Sequence, residues 1–168
     1  GEGSVGAHWE KYYFGNELMT AESTGDGILS GFTIGLLKDC GWYRVNETLT
    51  EYFSFGRGAG CEFLGTNCNP ALPEFCPLPN RLQCNRDRTT KTFCIISQYT
   101  DKCPVSLPIP ELDCTSLTRY IGYTDGITDE PGPHARCVDV RVQKVYQYAA
   151  CFRIECKDNK TFFVYPNG

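Results

Sequence analysis

The clearest alternation of apolar and polar positions lies near the end of the chain. Val138, Val140 and Val142 alternate with Asp139, Arg141 and Gln143, and Ala150, Phe152, Ile154 and Cys156 repeat the pattern after a short interval. A period of two is that of a half-buried strand. Lys157-Asp158-Asn159-Lys160 forms a polar link to Thr161-Phe162-Phe163-Val164-Tyr165. The pattern therefore predicts a three-stranded antiparallel meander with Asn159 at an exposed hairpin tip. A helical period occurs earlier. Ser30 can cap a short helix whose Phe32, Leu36 and Leu37 are spaced to face a core, with Ile28 and Leu29 packing back as a staple. Lys38 falls in its last turn, and Gly41 can take the left-handed conformation that ends it.

Between these elements the pattern breaks. Gly56-Arg57-Gly58-Ala59-Gly60 lacks the Gly-Lys-Ser/Thr ending of a phosphate loop and does not lie between a strand and a helix, so it reads as a surface turn. From Cys61 to about Pro133, prolines such as Pro70, Pro73, Pro77, Pro79, Pro104, Pro108 and Pro110 interrupt any long helix or central strand. The segment reads as loop-rich, with disulfides supplying part of its order.

Cysteine content sets the compartment. The 168 residues hold eleven cysteines, none in a Cys-x-x-Cys pair, which favours disulfides formed in an oxidising environment over a structural zinc site. An odd count leaves at least one thiol free or paired outside the chain, and spacing alone does not give the connectivity. Two sequons, Asn46-Glu47-Thr48 and Asn159-Lys160-Thr161, point the same way and make Asn46 and Asn159 candidate glycan acceptors. The expected location is extracellular or at the cell surface, reached through the secretory pathway. The start, Gly1-Glu2-Gly3-Ser4, carries neither an initiator Met nor a leader, so an upstream part is expected to be missing. A net charge of −4 argues against nucleic acid as a partner, and no run of 18 apolar residues offers a membrane span.

Chemistry is concentrated near the start. His8, one of two histidines, stands eleven residues before Met19, the single methionine. No His-Glu-x-x-His is present, so the chain holds at most one of the three protein ligands of a catalytic zinc. Taken alone, His8 reads as a surface or core-edge imidazole and Met19 as core filling. Glu10 and Glu17 invite a general-base reading, but no activating partner is visible and solvated or structural roles fit them better. His134, between Pro133 and Ala135, reads as a surface residue.

His8-Trp9-Glu10-Lys11, Asn16-Glu17-Leu18-Met19, Leu36-Leu37-Lys38-Asp39-Cys40-Gly41-Trp42-Tyr43 and Gly56-Arg57-Gly58-Ala59-Gly60-Cys61-Glu62-Phe63-Leu64 follow one another in that order. Together they resemble the later half of the leishmanolysin family of surface zinc metalloproteases, which are metzincins. The resemblance implies an α+β chain: residues 1–60 end a metzincin-like catalytic lobe with a short helix after the Met-turn, and residues 61–168 form a disulfide-rich, mostly β and loop C-terminal domain. It assigns His8 as third zinc ligand and Met19 as the methionine beneath the metal, with no catalytic residue in this chain. It also implies Cys40 as the unpaired cysteine, with five bridges among Cys61, Cys68, Cys76, Cys84, Cys94, Cys103, Cys114, Cys137, Cys151 and Cys156. Zinc is then the cofactor, completed by an upstream segment or a processed partner chain carrying His-Glu-x-x-His, and the substrates are peptides or proteins. The chain alone should be inactive. The competing expectation is a non-catalytic extracellular structural or adhesive glycoprotein derived from the same fold and serving in an extracellular assembly.

Overall fold

The computed structural model describes residues 5–22, 27–65, 68–76, 81–121, 129–142, 146–158 and 161–165. Near the start the chain makes a single helical turn, α1 (Lys11–Phe14), and doubles back so that Trp9 bridges Thr20 and Glu17 bridges Ile28. The second helix, α2 (Gly31–Asp39), begins where Ser30 accepts the Phe32 N–H on its side-chain oxygen at 3.2 Å. It ends before Gly41, whose φ of 73° is the left-handed conformation open to a residue without Cβ. Both ends of this helix are as the pattern predicts, but its buried side is different. Thr33 and Ile34 are buried, whereas Phe32 and Leu36 are exposed. The inward position of Thr33 has a cause in Glu17, described below.

Two antiparallel sheets follow. The first has the order β1 (Leu82–Cys84), β2 (Thr90–Ile95), β3 (Val105–Asp113). It forms inside the stretch read from sequence as loop-rich. Pro108 and Pro110 are accommodated because β3 lies at the edge of the sheet, where beyond β2 it meets only the short Phe75–Val105 bridge among the described residues, and the ladder is irregular between Thr90 and Thr92. The second sheet is the expected meander: β4 (Ala135–Val142), β5 (Tyr146–Lys157) and β6 (Thr161–Tyr165). Its register sets Val138 opposite Ala150 and Val140 opposite Tyr148. Asn159, the expected hairpin tip, lies outside the described residues.

Four disulfides form: Cys68–Cys103, Cys76–Cys94, Cys84–Cys137 and Cys114–Cys151. The last two join the sheets, tying β1 to β4 and the end of β3 to β5. Their sulfurs pack with Ala135 and Ala149, small side chains that let the two layers approach closely. Five bridges were expected, and this is corrected. Cys61 and Cys156 are unpaired and exposed, as is Cys40. Cys61 opens a surface 3-10 turn (Cys61–Leu64), and Cys156 stands opposite Phe162 in the β5–β6 ladder rather than opposite a thiol.

The larger apolar cluster draws on both parts of the chain. Tyr12 of α1 packs with Phe63, Phe75, Cys103, Val105 and Leu107, and its hydroxyl donates to the Gly65 carbonyl at 2.6 Å. Buried charge supports the same region. Glu74 receives the Arg86 guanidinium on both carboxylate oxygens and also accepts the Gly56 N–H at 3.0 Å, fixing the glycine-rich turn to the sheet. Lys91, fully buried, meets Asp129 at 2.7 Å. Asp129 also accepts the Cys151 N–H at 2.7 Å and the Tyr120 hydroxyl.

Candidate functional site

The residues around His8 are ordered by backbone first. The Trp9 N–H donates to the Met19 carbonyl at 3.0 Å, which places the chain at His8 alongside the Met19 turn. That turn is tight: the Thr20 N–H and hydroxyl both donate to the Glu17 carbonyl, at 3.1 and 2.9 Å. Trp9 is then held from two sides. Its indole N–H donates to Thr33 Oγ1 at 2.8 Å, and its ring stacks on Phe14 with centroids 4.8 Å apart. His8 and Met19 thus share one edge of the molecule, and both side chains are exposed there. A cavity of about 130 Å³ opens beside His8, lined by His8, Trp9, Glu10, Lys11, Ala21 and Tyr99 among others.

Glu17 is the residue whose role the sequence conceals. It is buried, and four donors converge on its carboxylate. Oε2 accepts the Met19 N–H at 2.5 Å. Oε1 accepts the Ser30 N–H at 3.3 Å, the Ser30 hydroxyl at 2.8 Å and the Thr33 hydroxyl. A buried carboxylate must be surrounded by donors, and here those donors come from the methionine turn and the first turn of α2. Thr33 faces inward for this reason. The partners are thirteen and sixteen residues away in sequence, a separation at which no local motif operates. Glu17 is thus a structural acid.

A catalytic zinc takes three protein ligands and leaves a fourth position open. Among the described residues no group of three His, Cys, Asp or Glu side chains could hold a metal. An exposed imidazole on a braced backbone fits the contribution of one ligand and no more. The other candidates lie elsewhere. His134 is exposed, lining a separate cavity with Arg136, Arg153 and Cys156. Asn46 is exposed at the start of a 3-10 turn (Glu47–Leu49), its Oδ1 accepting the Thr48 N–H at 3.1 Å and the Thr48 hydroxyl at 2.7 Å. Nearby, Lys38 and Glu47 pair at 2.5 Å; hydrogen bonding and charge raise the lysine pKa and lower that of the glutamate.

Fold and site together define a disulfide-bridged α+β chain with one imidazole set beside a methionine turn. The leishmanolysin peptidase family matches residues 1–109, and the chain belongs to that family. The leishmanolysin-like peptidase of Drosophila pseudoobscura pseudoobscura is 31% identical over 120 residues, 63% of this chain and 18% of that protein. The protein of that name from Caenorhabditis elegans is 36% identical over 74 residues, 44% of this chain and 11% of that protein. The ciliated left-right organizer metallopeptidase of Homo sapiens is 30% identical over 146 residues, 81% of this chain and 18% of that protein. The chain spans less than a fifth of the length of these relatives. Among the described residues, no helix is long and apolar enough to cross a membrane.

Proposed function

We propose that the chain is the C-terminal portion of a leishmanolysin-like zinc metalloendopeptidase of the cell surface or extracellular space, with His8 as third zinc ligand and Met19 forming the floor beneath the metal. The observation that carries this reading is the Trp9–Met19 backbone hydrogen bond, which sets the one candidate ligand against the one methionine. When bound in a site of this kind, zinc acidifies a water and polarises the scissile carbonyl.

The chain's own residues have preparatory tasks. His8 offers an imidazole lone pair from a backbone fixed at the adjoining Trp9. Trp9, pinned by Thr33 and Phe14, keeps that backbone from rotating away. Met19 supplies an apolar, polarisable surface, and Glu17 holds its turn against α2 without entering the chemistry. Residues 1–60 serve as the end of the catalytic region. Residues 61–168, stapled by disulfides, buttress it through the cluster that Tyr12 shares with Phe63 and Phe75. The remaining ligands and the general base belong to a segment carrying His-Glu-x-x-His, and the substrates are peptides or proteins.

The test is His8→Ala in the whole parent protein, read by bound zinc and by peptide hydrolysis. Zinc content should fall at least tenfold and hydrolysis should disappear, while α2 keeps its amide protection. Unchanged zinc content would overturn the ligand assignment. A parent protein that binds no zinc with His8 intact would favour the non-catalytic scaffold.

A further inference from the structure

Two cavities adjoin on the second sheet, along the face turned away from the first. Pairing sets Arg136 opposite Phe152 and Val138 opposite Ala150, on the side opposite the Ala135, Cys137, Ala149 and Cys151 contact. The larger cavity, of about 530 Å³, is lined by half-buried Val138 and Ile154 with Asp87, Arg88 and Asp139. Arg88 reaches it from beside the outer edge of β4, where its carbonyl accepts the Cys137 N–H at 2.8 Å. The other cavity, of about 450 Å³, is lined by His134, Arg153 and Glu155. Arg136 and Ile154 belong to both walls, so the two cavities make one groove that meets at a guanidinium. Volumes of this order are those of ligand pockets.

The charges around the groove are unequally satisfied. Arg88 is paired with Asp139, whose carboxylate also accepts the Cys84 N–H at 3.0 Å. Arg153 stands 3.9 Å from Glu155. Arg136 has no carboxylate partner among the described residues. Its Nη1 donates to the Ala135 carbonyl at 2.7 Å and, more weakly, to the Pro133 carbonyl at 3.5 Å. These bonds hold the guanidinium in place and leave its Nε–Nη2 edge without an acceptor among the described residues. That edge is a fork that takes a carboxylate through two parallel N–H bonds. Because Arg136 is half-buried, an anion there is less screened than at a fully exposed arginine.

We infer that the groove binds the end of a peptide chain, with the free C-terminal carboxylate on the Nε–Nη2 edge of Arg136 and the last, apolar side chain against Val138 and Ile154. Capture of a chain terminus by fixed polar groups is a recurring mode of peptide recognition. Asp87 selects a peptide over an alkyl carboxylate. Its Oδ1 accepts the Tyr52 hydroxyl at 3.3 Å, and its Oδ2 has no partner among the described residues. A peptide backbone brings an N–H to that oxygen; a hydrocarbon brings nothing. The apolar floor is also short and bounded by charge, which suits one side chain better than a long alkyl tail. The groove shares no residue with the His8 edge, so peptide ends bind it whether or not zinc is held.

The test titrates fluorescein-labelled Gly-Ala-Val-Leu, ending in a free carboxylate, with the whole parent protein and follows fluorescence anisotropy. A hydroxamate is added to close any zinc site, so that no peptide is cut. The peptide acid should saturate below about 1 mM, and its C-terminal amide should bind at least tenfold more weakly. Arg136→Gln should lose the same factor, and Arg136→Lys, which keeps the charge without the fork, should fall between. Ile154→Glu, which sets a second carboxylate beside the bound one, should abolish binding. An unchanged Tm shows the variants folded, and the acid–amide comparison stands without them. His8→Ala should bind as the parent does, which separates this site from the metal reading. Equal affinity for acid and amide would overturn the proposal. So would undiminished binding by folded Arg136→Gln, no saturation by the acid, or displacement by dodecanoate at lower concentration than by unlabelled peptide.

Discussion

Replacing Glu17 with alanine should release the methionine turn from α2, and the structure sets the scale. The carboxylate serves two backbone donors, the N–H groups of Met19 and Ser30, and two hydroxyls, of Ser30 and Thr33. The hydroxyls can rotate towards other acceptors; the two N–H groups cannot. A buried donor left without a partner costs about 1–3 kcal/mol, so the fixed pair alone accounts for roughly 2–6 kcal/mol. Relief from burying a carboxylate offsets part of this, which leaves a net loss of about 2–4 kcal/mol. For a chain of this size a 3 kcal/mol loss lowers Tm by roughly 6–12 °C.

Glu17→Gln separates the causes. The amide oxygen can still accept the Met19 N–H, and the amide N–H₂ can donate to the Ser30 and Thr33 hydroxyls after they rotate. Only the Ser30 N–H is then orphaned, for a loss of about 1–2 kcal/mol. Urea unfolding with disulfides intact, followed by Trp9 fluorescence, reads this region, because Trp9 lies against Phe14 and Thr33. Amide exchange at Ser30 should accelerate in both variants. A Glu17→Ala chain within about 0.5 kcal/mol of the parent would refute the carboxylate as the lock. A Gln variant as damaged as the Ala one would instead refute the hydrogen-bond account, since the effect would then lie in charge alone.

Lys91→Met strands Asp129, and Asp129→Asn strands the fully buried Lys91 ammonium; each should cost about 3–5 kcal/mol, read from denaturant midpoints. Gly56→Ala should lose about 2–4 kcal/mol, because φ is 71° and the new Cβ would lie 2.4 Å from the Phe63 ring. Gly58→Ala has a similar φ of 69° with nothing within 4 Å, and should lose only about 1–2 kcal/mol. Burial, helped by Tyr13 and Asp101, raises the Tyr12 pKa above the ordinary tyrosine value. Its stabilising effect is therefore complete below about pH 10 and is lost as pH rises through the folded-state pKa. Tyrosinate absorbance should show Tyr12 ionising late, and Tyr12→Phe should flatten the alkaline fall in stability. Asn46 should carry a glycan when the chain passes through a secretory pathway, so peptide N-glycosidase should reduce its mass and Asn46→Gln should abolish that shift at this site.

Sheet β4–β6 was legible because Val138, Val140, Ala150 and Phe152 alternate along one face of it, although the face that meets the first sheet is the opposite one, carrying Ala135, Cys137, Ala149 and Cys151. The first sheet was not. The central strand β2, from Thr90 to Ile95, buries Thr90, Lys91, Thr92 and Cys94, with charge and hydroxyls satisfied by Asp129, Ser106 and backbone carbonyls. Its core is partly polar and therefore shows no apolar period. In β3, Pro108 and Pro110 counted against a strand because sequence does not reveal which strand will be an edge. Cysteine pairing was hidden for a similar reason: Cys84–Cys137 and Cys114–Cys151 join residues 53 and 37 apart, and contacts between the two sheets decide them.

Helix α2 shows the limit of pattern reading most directly. Periodicity found its caps correctly, because these are properties of a few consecutive residues, but the stripe of Phe32, Leu36 and Leu37 expected to face a core leaves Phe32 and Leu36 exposed. Which side turns inward is instead a competition between surfaces. One side offers Phe32 and Leu36; the other buries Ile34 and offers Ser30 and Thr33 to a carboxylate buried at Glu17, for which leaving donors unmade is the costlier failure. Within this chain the carboxylate prevails and the stripe remains in water.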